Sequence, residues 1–412
     1  MPTLPAIQFP LIGNSLVVGL FSLLHIALAG LSVGFMVLAP IFEWRGTTNA
    51  AATALAHTMT RFTVVVFSVS TVLAVIMVEL MIGLFPVTTM WMWNQFRGPI
   101  VVGIVAFVLQ LLTLYPYYHY WDSFILRRPS LHLALGATAA LFMLVWVLVL
   151  DGMGSYMLTP VERAGSWANL VNPTWLPLAF HRLIGDVLIA GYVIAAYGAW
   201  RTGRPADQPQ RAYYVYVSQM GWTIGLVTLL LQPFSGLFYA WAIRSSVPDA
   251  YEQLILGPYQ LLVYVQFLLI GLLFIGNHLV LRAASPTRPR WIDALVVTSA
   301  IALVASVSQT TFRRTVLFLL VALMLWGLAR LWSKGRMVNI GGGMGIRPVM
   351  AGLGVIAVLT YLTMGIIRET ARRPDTVRNM ISLQDEAKHP AAFRKGQGPN
   401  PEDADLRTEQ RK

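Results

Sequence analysis

The sequence predicts an all-α fold, a polytopic bundle of about ten membrane-spanning helices with the N-terminus outside. Three observations lead there. The 412 residues are 56% hydrophobic and only 12% charged, with a mean hydropathy of +0.63, a balance that excludes a soluble globular protein. The apolar residues fall into separate runs, and a hydrocarbon core of about 30 Å needs about 20 apolar residues per helix. The arginines between the runs are shared unequally by alternate loops. A formal charge of +12 could suit nucleic acid, but its spread over short loops is the pattern of membrane topology, so the expected surroundings are the lipid bilayer and no nucleic acid.

Taken in order, the runs are 14–42, 59–85, 99–121, 131–151, 176–200, 213–242, 259–281, 292–309, 315–332 and 348–368. Reading 292–332 as one span would give nine and reverse the tail. The first run follows no basic region, so it reads as a retained helix rather than a signal peptide. With the N-terminus outside, the inner loops hold Arg45, Arg127, Arg128, Arg201, Arg204, Arg211, Arg288, Arg290, Lys334, Arg336 and Arg347. The outer loops hold only Arg97, Arg163, Arg244, Arg313 and Arg314, the asymmetry expected of a positive inside. Three parts are expected: a core over 1–242, further helices over 243–368, and a polar tail over 369–412, extended on the outer face. GGGMGIRP at 341–348 lacks the strand and the Lys-Ser of a phosphate cradle and reads as an inner loop.

The absence of cysteine excludes disulfides, covalently attached haem and thiolate-held clusters, so any metal must be held by histidine, methionine or carboxylate. NPTWLPLAFHRLIGD at 172–186 places His181, Arg182 and Asp186 at the start of an apolar run. An imidazole in hydrocarbon needs a partner, either a backbone carbonyl or hydroxyl on a neighbouring helix or a metal such as haem iron. The topology puts His25, His181 and Glu79 at one level near the outer face, and His57, His119, His132 and His278 near inner helix ends, where a histidine can meet water or headgroups. Glu79 is either a protonated or arginine-paired helix-end residue or a functional carboxylate. The outer loop 151–175, with two tryptophans and two methionines, can lie in the interface or roof a site beneath it.

FSLLHIALAGLSVGF around His25, WVLVLDGMGSYMLTP at 146–160, and LVNPTWLPLAFHRLIGD leading into AYGAWRTGR at 196–204 resemble subunit I of cytochrome bd-type quinol oxidases over roughly the first 240 residues. The resemblance implies that His25 is the proximal ligand of an active-site haem, that His181 is an axial ligand of the electron-entry haem b, and that Glu79 matches a carboxylate late in the second helix. It implies quinone or quinol as substrate, a bacterial cytoplasmic membrane, and companions in a respiratory complex such as a second membrane subunit. The outer tail either docks an acidic partner such as a c-type cytochrome or is solvated with no partner.

The departures are specific. The family's two glutamates in the third helix fall near Gly103 and Gln110 or Leu111, so terminal oxygen reduction is not expected. PYQLLVYVQFLLIGLLF lacks the methionine expected opposite His181, so Gln266 or another helix would have to substitute. The quinol loop is reduced to RSSVPDAYEQLILG, where Arg244, Tyr251 and Glu252 are the polar candidates, and the third-haem glutamate, placed two turns before ETARRP, falls on Leu362. Two functions follow as expectations: a b-type cytochrome subunit passing electrons between the quinone pool and a respiratory partner, or a haem-poor or haem-free scaffold anchoring such a complex. A transporter fits less well, because inverted repeats with polar residues at the midplane are not evident.

Overall fold

The computed structural model describes residues 13–161, 165–204, 207–284, 289–333 and 345–388. Its helices are α1 (Asn14–Gly46), α2 (Ala50–Leu84), α3 (Pro86–His119), α4 (Trp121–Arg127), α5 (Pro129–Tyr156), α6 (Ser166–Leu170), α7 (Trp175–Arg201), α8 (Gln208–Ser246), α9 (Pro248–Leu256), α10 (Gln260–Ala284), α11 (Trp291–Ala305), α12 (Thr310–Ser333) and α13 (Ile346–Thr370). A two-stranded hairpin, β1 (Asp375–Val377) and β2 (Ile381–Ser382), and α14 (Leu383–Lys388) complete it.

Local chemistry sets several boundaries. Asn49 caps α2 by accepting from the Ala51 N–H, and Asp207 caps α8 by accepting from Gln210 N–H at 2.8 Å. Proline opens α3, α5 and α9, where its missing N–H would have had no helical partner. Inside α3, Pro99 removes one helical hydrogen bond, and the backbone leaves helical geometry three residues earlier at Phe96.

Among the described residues nine helices are long and apolar enough to cross a membrane. The expected eighth span is a separate helix, α11, of only 15 residues, so 292–332 is not one span. It still runs antiparallel to α10 for its whole length: His278 bonds Asp293 at one end, and Val263 and Val307 share a cluster at the other. Residues 334–344, which include the first half of GGGMGIRP, lie outside the described residues.

The core is built on α7, in whose apolar stretch of 18 residues 61% are buried, against 11% in that of α2. It lies backbone to backbone on α8. A Cβ at Gly191 would sit 2.6 Å from Gly225 N, one at Gly221 2.4 Å from Ala195 N, and one at Gly198 2.5 Å from Ser218 N. Small residues permit such approach where helices gain no hydrophobic driving force from their lipid surroundings. α13 packs on α1, α7 and α10, and one apolar cluster joins α7 and α8 to α10–α13. The expected division at residue 242 is therefore not a structural boundary.

The expected extended tail is corrected over its first part: residues 375–388 fold back onto the bundle. Val377 and Ile381 are fully buried with Val87, Phe96 and Tyr156. Glu386 accepts from Val87 N–H at 3.0 Å and Thr88 N–H at 2.8 Å, at the start of α3, where free amides and the helix dipole favour an anion. Arg378 donates its backbone N–H to Met157 O and pairs with Asp249. Residues 389–412 lie outside the described set. At the opposite end of the bundle, His132 does not meet water as expected: it is fully buried, bonded to Glu43 at 2.7 Å, whose other oxygen accepts from Tyr117.

Two outcomes follow. Gly221→Leu should force α7 and α8 apart and lower stability by about 1–3 kcal/mol or more, read as a fall in the thermal midpoint in detergent. Burial raises the Glu386 carboxyl above its ordinary 4.5, outweighing the hydrogen bonds that favour its charged form. A raised folded value means that its contribution is complete below the unfolded value and is lost as pH rises through the folded one. Hydrogen-exchange protection of 375–388, corrected for intrinsic exchange, should fall from acidic to neutral pH in the wild type and stay flat in Glu386→Gln.

Candidate functional site

His181 lies in the second turn of α7, and α8 is shaped to receive it. Its Nδ1 is 3.0 Å from Ser235 Oγ. A Cβ at Gly236 would be 3.2 Å from its Cε1, so glycine makes room for the ring. Gln232 donates to His181 O at 3.3 Å. With Nδ1 engaged, Nε2 is the nitrogen available to a ligand, the arrangement in which an outer partner fixes the tautomer of a metal-bound histidine.

His181 opens on a cavity of about 360 Å³ enclosed by α7, α8, α9, α10, α12 and α13, within the range of about 300–1,000 Å³ for cofactor sites. Its walls are mainly leucine, isoleucine, valine and phenylalanine. Gln266 of α10 and Met364 of α13 also line it, and towards the end where α13 terminates so do Tyr239, Tyr251, Arg313, Arg314, Arg368 and Glu369. Arg313 lies over the Phe267 ring at 5.0 Å, and Arg314 Nε is buried without a partner among the described residues. Gly154 leaves space for Arg368, whose Nη2 would be 2.5 Å from a Cβ there.

Beside the cavity a buried ionic network joins three helices, α5, α7 and α13. Arg182 donates to Asp151 at 2.5 Å and approaches Asp186 at 4.0 Å, and Tyr361 donates to Asp186 at 2.6 Å. Gly30 and Gly34 let α1 close over Asp186. One guanidinium serves two carboxylates, and the second oxygens of Asp151 and Asp186 have no partner among the described residues.

The other expected site residues are placed differently. His25 is held against α2, its Nδ1 2.9 Å from Ser70 O and 3.1 Å from Ser70 Oγ. Its neighbour Ile26, not His25, lines the cavity. α1 and α7 run parallel, with Gly34 against Asp186 and Ala190, which leaves the two histidines at one level. Glu79 does not share it: it is exposed on α2, nine residues beyond Ser70, or about 13 Å at the helical rise. Tyr251 lines the cavity with the exposed Arg244 over its ring at 5.8 Å, whereas Glu252 is exposed on α9. The loop 151–175 does not roof this cavity. Asn172 ties it to Gly152 and Leu170, and Trp175 donates to Leu148 O, binding it to α5; α9 and the end of α13 form the cover instead. Residues 162–164 of that loop lie outside the described set.

Sequence reading missed Met364, Arg368 and Glu369. The signal was present as the 357–361–364–368 spacing of one helix face, but the end of α13 is aligned only by packing. In the third helix Gly103 leaves no room for a larger side chain: a Cβ there would lie 2.2 Å from the Trp146 ring. Gln110 is fully buried, with neither amide atom partnered among the described residues.

The model of the family "Cytochrome bd terminal oxidase subunit I" matches residues 16–249, more than half of the chain. The chain belongs to that family. Its fold is also similar to the solved bd oxidase of Geobacillus thermodenitrificans, with a TM-score of 0.52 at 14% identity, covering 87% of this chain and 98% of that one. No curated protein matches it. For a bd oxidase subunit I-like chain, haem is the group to test against this cavity, and the residues fit: an imidazole with one nitrogen engaged, apolar walls, and arginines at one end able to meet carboxylates.

Arg182→Met would leave two buried carboxylates without their cation and should cost about 3–5 kcal/mol. Tyr361→Phe removes one hydrogen bond and should cost about 1–3 kcal/mol. Thermal unfolding of the two purified variants checks the order.

Proposed function

We propose that the chain is the b-type cytochrome subunit of a respiratory complex in a bacterial cytoplasmic membrane, passing electrons between the quinone pool and a partner on the outer face. The observation that carries this reading is the cavity in which His181, its Nδ1 engaged by Ser235, faces apolar walls with arginines at one end. Haem b bound there would supply reversible one-electron transfer. His181 would hold it, with Arg313, Arg314 and Arg368 meeting its carboxylates. The apolar walls exclude water, and the engaged Nδ1 keeps the imidazole in one tautomer and orientation. His25, fixed in the same manner by Ser70, is a ligand candidate for a separate site. Glu79, exposed and clear of both histidines, is available for proton exchange at the surface rather than for ligation. The α8–α9 corner offers Tyr251 and Arg244 to a quinol headgroup.

Trp146 filling the space at Gly103 argues against the carboxylate relay that oxygen reduction needs, so the proposed work is electron transfer. The same observation favours a second reading, a haem-free scaffold that keeps the fold to anchor a second membrane subunit. The charge asymmetry of the loops supports an outer position for the folded C-terminal segment, which with the polar stretch beyond it is the proposed dock for a c-type cytochrome.

A pyridine haemochrome assay separates the readings. The purified wild type should contain haem b, and His181→Ala should lose it while remaining folded. A wild type with no Soret absorption would falsify the cytochrome reading and leave the scaffold.

A further inference from the structure

We propose that the end of the bundle opposite the His181 cavity carries a site for an anionic phospholipid, with its phosphate held by Arg45, Arg61 and Arg201 and its chains along the outward side of α2. The site is independent of the haem reading. Tyr197, at its centre, follows His181 by 16 residues along α7, about 24 Å at the helical rise.

The register of α2 sets the depth. Arg61 is exposed on that helix, and so is Glu79. Glu79 follows Arg61 by 18 residues, five full turns, so the two charges project from the same side about 27 Å apart. That span matches a hydrocarbon core of about 30 Å. Between the two charges the same side presents Val65, Val72 and Val75, each at least 58% exposed. Arg61 therefore sits at the level of the lipid phosphates, with an apolar strip leading away from it.

The neighbouring helices bring further cations and hydroxyls to Arg61. Tyr213 of α8 reaches α2, its hydroxyl 2.7 Å from Thr58 Oγ1 and 3.1 Å from Ala54 O, and Phe62 of α2 meets the Tyr197 ring of α7 edge-on at 5.0 Å. These two contacts bracket Arg61 along α2. Arg201 and Arg61 both lie within electrostatic reach of Tyr197, and Arg45 within reach of Tyr216. Arg201 stands over the Tyr214 ring at 4.6 Å, with its Nε buried and unpartnered among the described residues.

Arginine and tyrosine at a membrane interface ordinarily snorkel one by one to water. Here three arginines from three helices meet one group of tyrosines, and none of them forms an ion pair among the described residues. Arg45 and Arg201 stand in the last turns of α1 and α7, where the helix dipole favours a cation, but Arg61 lies in mid-helix without that support. The carboxylates of this end are engaged elsewhere: Glu43 with His132 and Tyr117, Asp207 as the cap of α8, and Asp122 beside His57. The counter-charge must then come from outside the chain. At this depth, at the head of an apolar strip, the phosphate of an anionic lipid supplies it, and the arginines bond its oxygens.

Native mass spectrometry of the full-length purified protein, titrated with phosphatidylglycerol or with phosphatidylcholine of the same chains, tests the site. Phosphatidylglycerol should bind about tenfold tighter or more, and Arg61→Gln should weaken it about fivefold. Arg61→Lys should keep most of the affinity, and Arg330→Gln, which removes an arginine lying over Trp326 on α12, should leave it unchanged. Equal affinity for the two lipids overturns the proposal, as does an unchanged affinity in Arg61→Gln. An equal loss in Arg330→Gln overturns it too, since the attraction would then belong to any basic surface. Displacement of the lipid by an equal concentration of inorganic phosphate would give the arginines to a free anion instead. If Arg61→Gln does not fold, Arg45→Gln carries the same expectation and the same power to overturn.

Discussion

In a hydrocarbon interior every polar group left alone costs roughly several kcal/mol, and the polar groups of α7 are the ones around which this bundle closes. His181 is met by Ser235 of α8, Arg182 by Asp151 of α5, and Asp186 by Tyr361 of α13. Each partner comes from a different helix, so satisfying α7 also sets how its neighbours are placed. The glycines of α7 and α8 and those of α1 supply the close approach that these bonds require.

The same arrangement explains why a cavity persists in an otherwise packed interior. α7 and α8 are locked backbone to backbone, while α10, α12 and α13 stand off from them around His181. Leucine and phenylalanine side chains line the opening, and arginines collect at one end, where charge is less costly than at mid-depth. The second oxygens of Asp151 and Asp186 and Oε1 of Gln266 have no hydrogen-bond partner among the described residues. Such unspent hydrogen-bonding capacity beside a cavity leaves room for water or a bound group to complete it.

The folded C-terminal segment adds a further constraint. Its two buried apolar residues and the Glu386 cap on α3 tie the end of α13 to the start of α3. Arg372, next to Glu369, donates to Thr376 O within the same segment. The rim of the cavity and the hairpin are therefore one piece of structure, which connects the site to the surface on which a partner would dock.

The helices, their order, and the candidacy of His25 and His181 were legible in the sequence, because hydropathy and length are local properties that a bilayer reads almost directly. So was the absence of a carboxylate from the third helix. What the sequence left open were relations between helices far apart in the chain. Whether 292–332 makes one span or two turned on the four residues between α11 and α12. Glu79 lies near the end of α2 as expected, but it is not level with His25, because Ser70 is the residue of α2 that meets His25. The loop 151–175 looked like a roof, but Asn172 and Trp175 bind it to α5 instead. Only tertiary packing decided which side chains share the cavity with His181, because Gln266, Met364 and Arg368 are brought to it by antiparallel registers that no local pattern encodes.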